Sequence, residues 1–129
     1  MPDGPQIRMA QGRKFRKAVG MKGEGPILRI FEVKTKKGCA DALLENFATT
    51  SADVVKGHPG NMGYIFGDMV EGAEDTVMFV SVWTDLNAVK ARFGDDWRVS
   101  YMPEGYEDLI DSCSVRHLVA AGGWHVGLV

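Results

Sequence analysis

The side chains of this 129-residue chain that are best suited to chemistry fall between Asn61 and His117. His117 carries an imidazole whose free pKa of about 6.5 suits proton transfer at neutral pH. It also shares a strand face with Val115 and Val119, so a core or interface role competes with a catalytic one. Trp97, Tyr101 and Tyr106 recur at near-helical spacing, which favours packing, but Pro103 and Gly105 interrupt them and suit a lid over a cleft. Trp83 closes an apolar run and reads either as a packing anchor or as a platform for a flat ligand.

Other chemistries find little support. Asp95 and Asp96 are adjacent and point apart, which fits a solvated helix cap better than a carboxylate dyad. His58, His117 and His125 lack metal-ligand spacing, so no metal is expected. Cys113 has no neighbouring cation in sequence except Arg116 and Cys39 sits at a helix start, so a nucleophilic role is not expected of either. The glycines of residues 57–67 precede a hairpin and do not open a βαβ crossover, so they are not a dinucleotide fingerprint.

The elements that must hold these residues follow from hydrophobic period. Ile27–Lys34 is rich in β-branched and aromatic residues and predicts a strand, with Gly38 and its flanking lysines as the break. Cys39, Leu43, Leu44, Phe47, Val54 and Val55 recur at helical spacing up to the stop at Gly57-His58-Pro59-Gly60. Asn61–Asp68 sets Met62, Tyr64 and Phe66 against Gly63, Ile65 and Gly67, and pairs as a hairpin with Val77–Trp83. Thr84 or Asp85 caps a helix with the stripe Leu86, Val89 and Phe93, ending near Gly94. Two short helical turns joined at Pro103 lead to a last strand, Cys113–Ala120, with Cys113, Val115, His117 and Val119 on one face.

The order β-α-β-β-α-β predicts an α+β, ferredoxin-like split β-α-β fold: an antiparallel sheet with both helices on one face. Strands one and three carry apolar residues on both faces, Ile27, Phe31 and Val33 against Leu28 and Ile30 in the first and Val77, Phe79 and Trp83 against Met78, Val80 and Val82 in the third, and the helices can cover only one face. Leaving ~600 Å² of such surface in water would forgo roughly 15 kcal/mol of burial before association costs. The expectation is a homodimer closing sheet on sheet into an α+β barrel.

Length and composition fit one soluble domain without a disulfide staple, spanning residues 26–120. No apolar run is long enough to span a membrane and none resembles a secretory signal, so no membrane partner and a cytoplasmic location are expected. The net charge of −2 is uneven: residues 1–25 hold six of the fifteen Lys+Arg and two of the seventeen Asp+Glu. Residues 26–129 are therefore acidic, with no clustered basic face for nucleic acid. The basic tail, residues 1–25, is expected to be irregular, and residues 121–129 are apolar enough to cross to a partner subunit.

Pro59-Gly60-Asn61-Met62-Gly63-Tyr64, followed by Phe79-Val80-Ser81-Val82-Trp83-Thr84-Asp85 in this element order, resembles the antibiotic biosynthesis monooxygenase-like domains of the dimeric α+β barrel superfamily. The resemblance covers residues 26–120 and implies a small-molecule cleft between helices and sheet. It implies two chemistries. One is oxygenation of polycyclic phenols without metal or flavin; the other is haem degradation by an Asn, a Trp and a His ligand. In this chain the Asn position falls near Arg29, the Trp position on Phe93 and the ligand His position near Met102, and none of the three matches.

The oxygenase chemistry needs an enclosed apolar cavity and a few polar groups that hold the substrate as its anion. The anion would give an electron to O₂, and the caged pair would recombine at carbon. On this reading His117 is the base, Arg98 or Arg116 stabilises the anion, and Tyr64 completes the catalytic set. Asn61, Trp83, Phe93, Trp97, Tyr101 and Tyr106 bind substrate, with no cofactor. The expected function is a cofactor-independent monooxygenase for a small aromatic or quinone-like molecule. The alternatives are a non-catalytic, small-molecule-binding or stress-associated barrel protein and, third, a haem-degrading enzyme.

Overall fold

The computed structural model describes residues 25–71 and 73–123. The expectations for the basic tail and for Trp124 onward therefore fall outside the described residues. Four strands, β1 (Ile27–Thr35), β2 (Asn61–Asp68), β3 (Thr76–Trp83) and β4 (Ile110–Val119), form one antiparallel sheet in the order β2-β3-β1-β4. This is the ferredoxin-like α+β arrangement. In β1 and β3 every second residue is buried, because the pleat turns alternate side chains toward the helices.

Register stacks the inward face in rows. Tyr64, Ser81, Arg29 and His117 stand side by side across the four strands, and the next row is Phe66, Phe79, Phe31 and Val115. Two irregularities refine the sequence reading. Asn61 pairs with Trp83 and Gly63 with Val82, so Met62 is squeezed out of register and is 60% exposed. It does not share the face of Tyr64 and Phe66. The last strand also begins at Ile110, three residues before Cys113, with a shift between Lys34 and Thr35.

The first helix is continuous from Ala40 to Val55 but changes pitch. It runs as α1 (Ala40–Asn46), a π-helical segment (Phe47–Ser51) and α2 (Ala52–Val55). The reason lies in the spacing of its buried residues, since Leu43, Phe47, Ser51 and Val55 recur every fourth position. An α-helix repeats every ~3.6 residues, so such a row drifts off the sheet unless one turn widens. Phe47 is fully buried at the middle of this row, with Phe31, Phe66, Phe79 and Tyr106 around it at ring separations of 5.4–6.4 Å.

The second helix, α3 (Leu86–Phe93), starts where Asp85 Oδ1 accepts the N–H of Ala88 at 2.8 Å, and stops at Gly94, whose φ is +73°. Gly60 explains the Pro-Gly turn before β2. Its φ is +85°, and a Cβ there would lie 2.5 Å from that of Ala88, so only glycine lets the turn approach α3. Between α3 and β4 the helical turns are short 3₁₀ pieces at Gly94–Asp96 and Tyr106–Asp108. The segment joining them, which includes Pro103, is irregular.

Both helices lie on one face. On the other, Leu28, Ile30, Met78, Val80 and Val82 are partly exposed, and Ile65 and Leu118 are about half exposed. Glu32 and Arg116 form an ion pair at 3.0 Å on the same side. Among the described residues no helix is long and apolar enough to cross a membrane.

Candidate functional site

A small cleft, with a cavity volume of about 40 Å³, opens between the sheet, the first helix and the 93–103 segment. Its floor is Phe31, Phe79 and Val115, with Arg29 and Ser81 beside them. The helical wall is Ser51, Val54 and Val55, and the outer wall is Phe93, Tyr101 and Pro103. It is mostly apolar, with a small number of polar groups, as a small-molecule site should be.

Arg29 dominates its electrostatics. The residue is 5% exposed and stands on the inward face of β1 among Ile27, Phe31 and Val33. Its Nη1 donates to Trp97 O at 2.5 Å and lies 3.1 Å from His117 Nε2, while Nη2 donates to Val99 O at 3.1 Å. The guanidinium lies over the Phe93 ring at 3.8 Å. Burial, and then the neighbouring Arg92, pull it down to about 10, which leaves it a cation at neutral pH. Among the described residues no carboxylate pairs with it; the ion pair found there is Arg116–Glu32. A buried charge without a counter-ion is costly unless something anionic arrives.

The family comparison bears on the same elements. The family described as antibiotic biosynthesis monooxygenase matches residues 26–96, more than half of the chain. The chain belongs to the antibiotic biosynthesis monooxygenase family. Solved structures share this fold at low identity. A Shewanella oneidensis protein is 19% identical with a TM-score of 0.60, over 76% of this chain and 93% of that one. A heme-degrading protein of Mycobacterium tuberculosis is 22% identical with a TM-score of 0.56, over 79% of this chain and 99% of its own. A Mesorhizobium loti dabb family protein with a ferredoxin-like fold is 11% identical with a TM-score of 0.52, over 73% and 96%. No curated protein is significantly similar in sequence.

Within this family member the residues singled out from sequence separate into three groups. Phe93 and Tyr101 line the cleft. Trp97 and His117 stand behind Arg29, their rings edge to face at 5.1 Å. The others do not line the cleft. Trp83 is fully buried, its indole N–H bonded to Ser81 Oγ at 2.9 Å and its ring edge-on to Phe93. Asn61 shapes the β2 bulge, accepting from Gly63 N and donating to Val82 O. Tyr64 stacks on Phe79 and Phe66. Tyr106 is 2% exposed and bonds to Ser51 and to Asn46 O. Arg98 is exposed and lies over Trp97, and Arg116 is tied to Glu32 on the far face.

His117 does not stand free as a base. Arg29 can only donate, so the Nε2 lone pair must accept from it and the ring proton sits on Nδ1. Burial first, then Arg29 and Arg98, pull its pKa down to about 4, so it is neutral at pH 7. The unfolded chain takes up this proton near pH 6.5 and the folded one only near 4. Stability is therefore lost as pH falls through that window. A His117→Gln variant is expected to show a shallower loss of unfolding midpoint between pH 7 and 4 than the parent; an unchanged slope would contradict a buried His117 held neutral in the fold.

The structure adds Arg29, Ser51 and Ser81 to the site. Arg29 had a legible signal: strand alternation sets it among apolar neighbours facing the helices, where an unpaired charge needs a reason. Ser51 and Ser81 had none, because their roles depend on which hydroxyl reaches which partner.

Haem fits these residues poorly. Among the lining residues only Tyr101 has a group of a type that binds haem iron axially. The nearby imidazole, His117, is occupied by Arg29.

Proposed function

We propose that this family member is a cofactor-independent monooxygenase that takes a small aromatic or quinone-like substrate and holds it as its anion on Arg29. The observation that supports this is the buried guanidinium without a carboxylate at the edge of an apolar cleft. Such a cation favours ionisation of a hydroxyarene, as an opposite charge at close range does. It takes over the part that sequence assigned to Arg98 or Arg116.

Phe93 and Tyr101 flank the ring, and the apolar floor keeps water from the reacting carbon. Arg29 lowers the substrate's pKa, so the proton can leave to water, and His117, tied by its lone pair, holds the guanidinium in place. The arenolate passes one electron to O₂, and the radical and superoxide combine to a carbon–oxygen bond. The peroxide takes up a proton, and loss of water with the carbon-bound hydrogen leaves a carbonyl. One hydroxyarene and one O₂ thus give one quinone and one H₂O, with the electrons drawn from the substrate alone.

The unpartnered outer face of the sheet supports a second part of the reading, a homodimer closed sheet to sheet over Leu28, Ile30, Val80 and Val82. Sedimentation at micromolar concentration would show a monomer if this were wrong. The oxygenase reading is tested by incorporation of labelled O₂ into product by metal-free and haem-free protein.

A further inference from the structure

The two sides of the cleft differ in the direction of the hydrogen bonds they can make. On the floor, Arg29 has five N–H groups and three are engaged. Ser81, its cross-strand partner, accepts the indole N–H of Trp83 at 2.9 Å, which leaves the Ser81 proton to give. Both side chains are almost fully buried, and both line the cleft. The floor offers donors.

The helical wall is the reverse. Tyr106 Oη lies 3.1 Å from Asn46 O and 2.6 Å from Ser51 Oγ. A carbonyl oxygen only accepts, so the single Tyr106 proton goes to Asn46, and the proton in the shorter contact must come from Ser51. Ser51 therefore turns lone pairs, and no proton, toward the cleft. Tyr106 is 2% and Ser51 8% exposed, so water has little access to rearrange this chain. The π-helical segment is what carries Asn46 and Ser51 to the same phenol oxygen. Tyr101, half exposed at the mouth, can donate or accept and imposes no preference.

We infer that Ser51, with its proton drawn away by Tyr106, is a specificity-determining residue: it selects anionic aromatic ligands that carry a hydrogen-bond donor, a hydroxyl or an amine, away from the anionic group. The acid group is held by Arg29 and Ser81 and the donor by Ser51. This inference rests on the anion-binding reading above and narrows its substrate class.

Calorimetric titration of the full chain with two series of aromatic acids tests it: benzoates with a para substituent, and 2-naphthoates substituted on the distant ring. Each series carries hydrogen, hydroxyl, amine or methoxy. The hydroxyl and amine ligands of the series that reaches Ser51 are expected to bind roughly 3- to 10-fold more tightly than the hydrogen and methoxy ligands, the contribution of one added hydrogen bond. Ser51→Ala should remove that preference, a circular dichroism spectrum like the parent's showing that the variant is folded; a preference that survives in it would overturn the assignment of Ser51. Equal affinity across both series, with all of them weakened by Arg29→Met, would overturn the selectivity and leave the anion site standing. Failure of every acid to bind would overturn both.

Discussion

Arg29→Met is expected to weaken binding of an aromatic anion roughly 10- to 100-fold, the loss that follows from removing charge-assisted hydrogen bonds. Methionine keeps an apolar, unbranched stem on the inward face of β1 and removes a buried cation that has no counter-ion among the described residues. The fold should therefore survive. His117 supplies an independent readout, because Arg29 is one of the causes of its lowered pKa. In the variant its titration, followed by NMR, should move up from about 4 toward the ordinary value. Arg29→Lys should not restore full binding. An ammonium is a point donor that cannot span Trp97 O, Val99 O and His117 Nε2 as the guanidinium does. Unchanged affinity in Arg29→Met would remove Arg29 from the site.

Phe47→Ala is expected to cost about 3–5 kcal/mol of folding stability, the usual range for emptying a fully buried phenylalanine site. That is a large share of the ~5–15 kcal/mol that holds a domain together. Phe47 touches β1, β2, β3 and the turn before β4 through four aromatic partners, so no single neighbour can move in to fill the space. Urea denaturation should show a much lower midpoint with little change in slope. Tyr101→Ala, at a half-exposed position on the cleft mouth, serves as the contrast and should leave the midpoint nearly unchanged. A small shift in Phe47→Ala would mean that the core is organised around some other residue.

The contrast between these two residues shows what sequence could and could not convey. Phe47 was legible because helical spacing and size mark a core position, and the order of elements along the chain, the helix cap at Thr84 or Asp85 and the stop near Gly94 were legible for the same local reasons. Resemblance in the segments around Gly60 and Trp83 indicated the family. The cleft was harder. His117 and Trp97 do belong to it, but from behind, as supports for Arg29, and this depends on the pairing of β1 with β4. Strand alternation placed Arg29 inward, yet nothing local distinguishes a solvated arginine at a strand edge from one in a central strand. The β2 bulge that expels Met62 and the widened helical turn at Phe47–Ser51 are responses to packing, and sequence periods describe only ideal elements. Tyr106 looked like a ligand-facing aromatic; its hydroxyl serves Asn46 and Ser51 instead.

The most direct measurement is a reaction of the chelator-treated, haem-free protein with a bicyclic hydroxyarene under ¹⁸O₂. The mechanism on Arg29 predicts one labelled oxygen in the quinone, the other in water, one O₂ consumed per product, and a rate that collapses in Arg29→Met. Oxygen consumption only when haem or a metal is added, or none with arenols that calorimetry shows to be bound, would contradict it and leave the cleft as a binding site for aromatic anions.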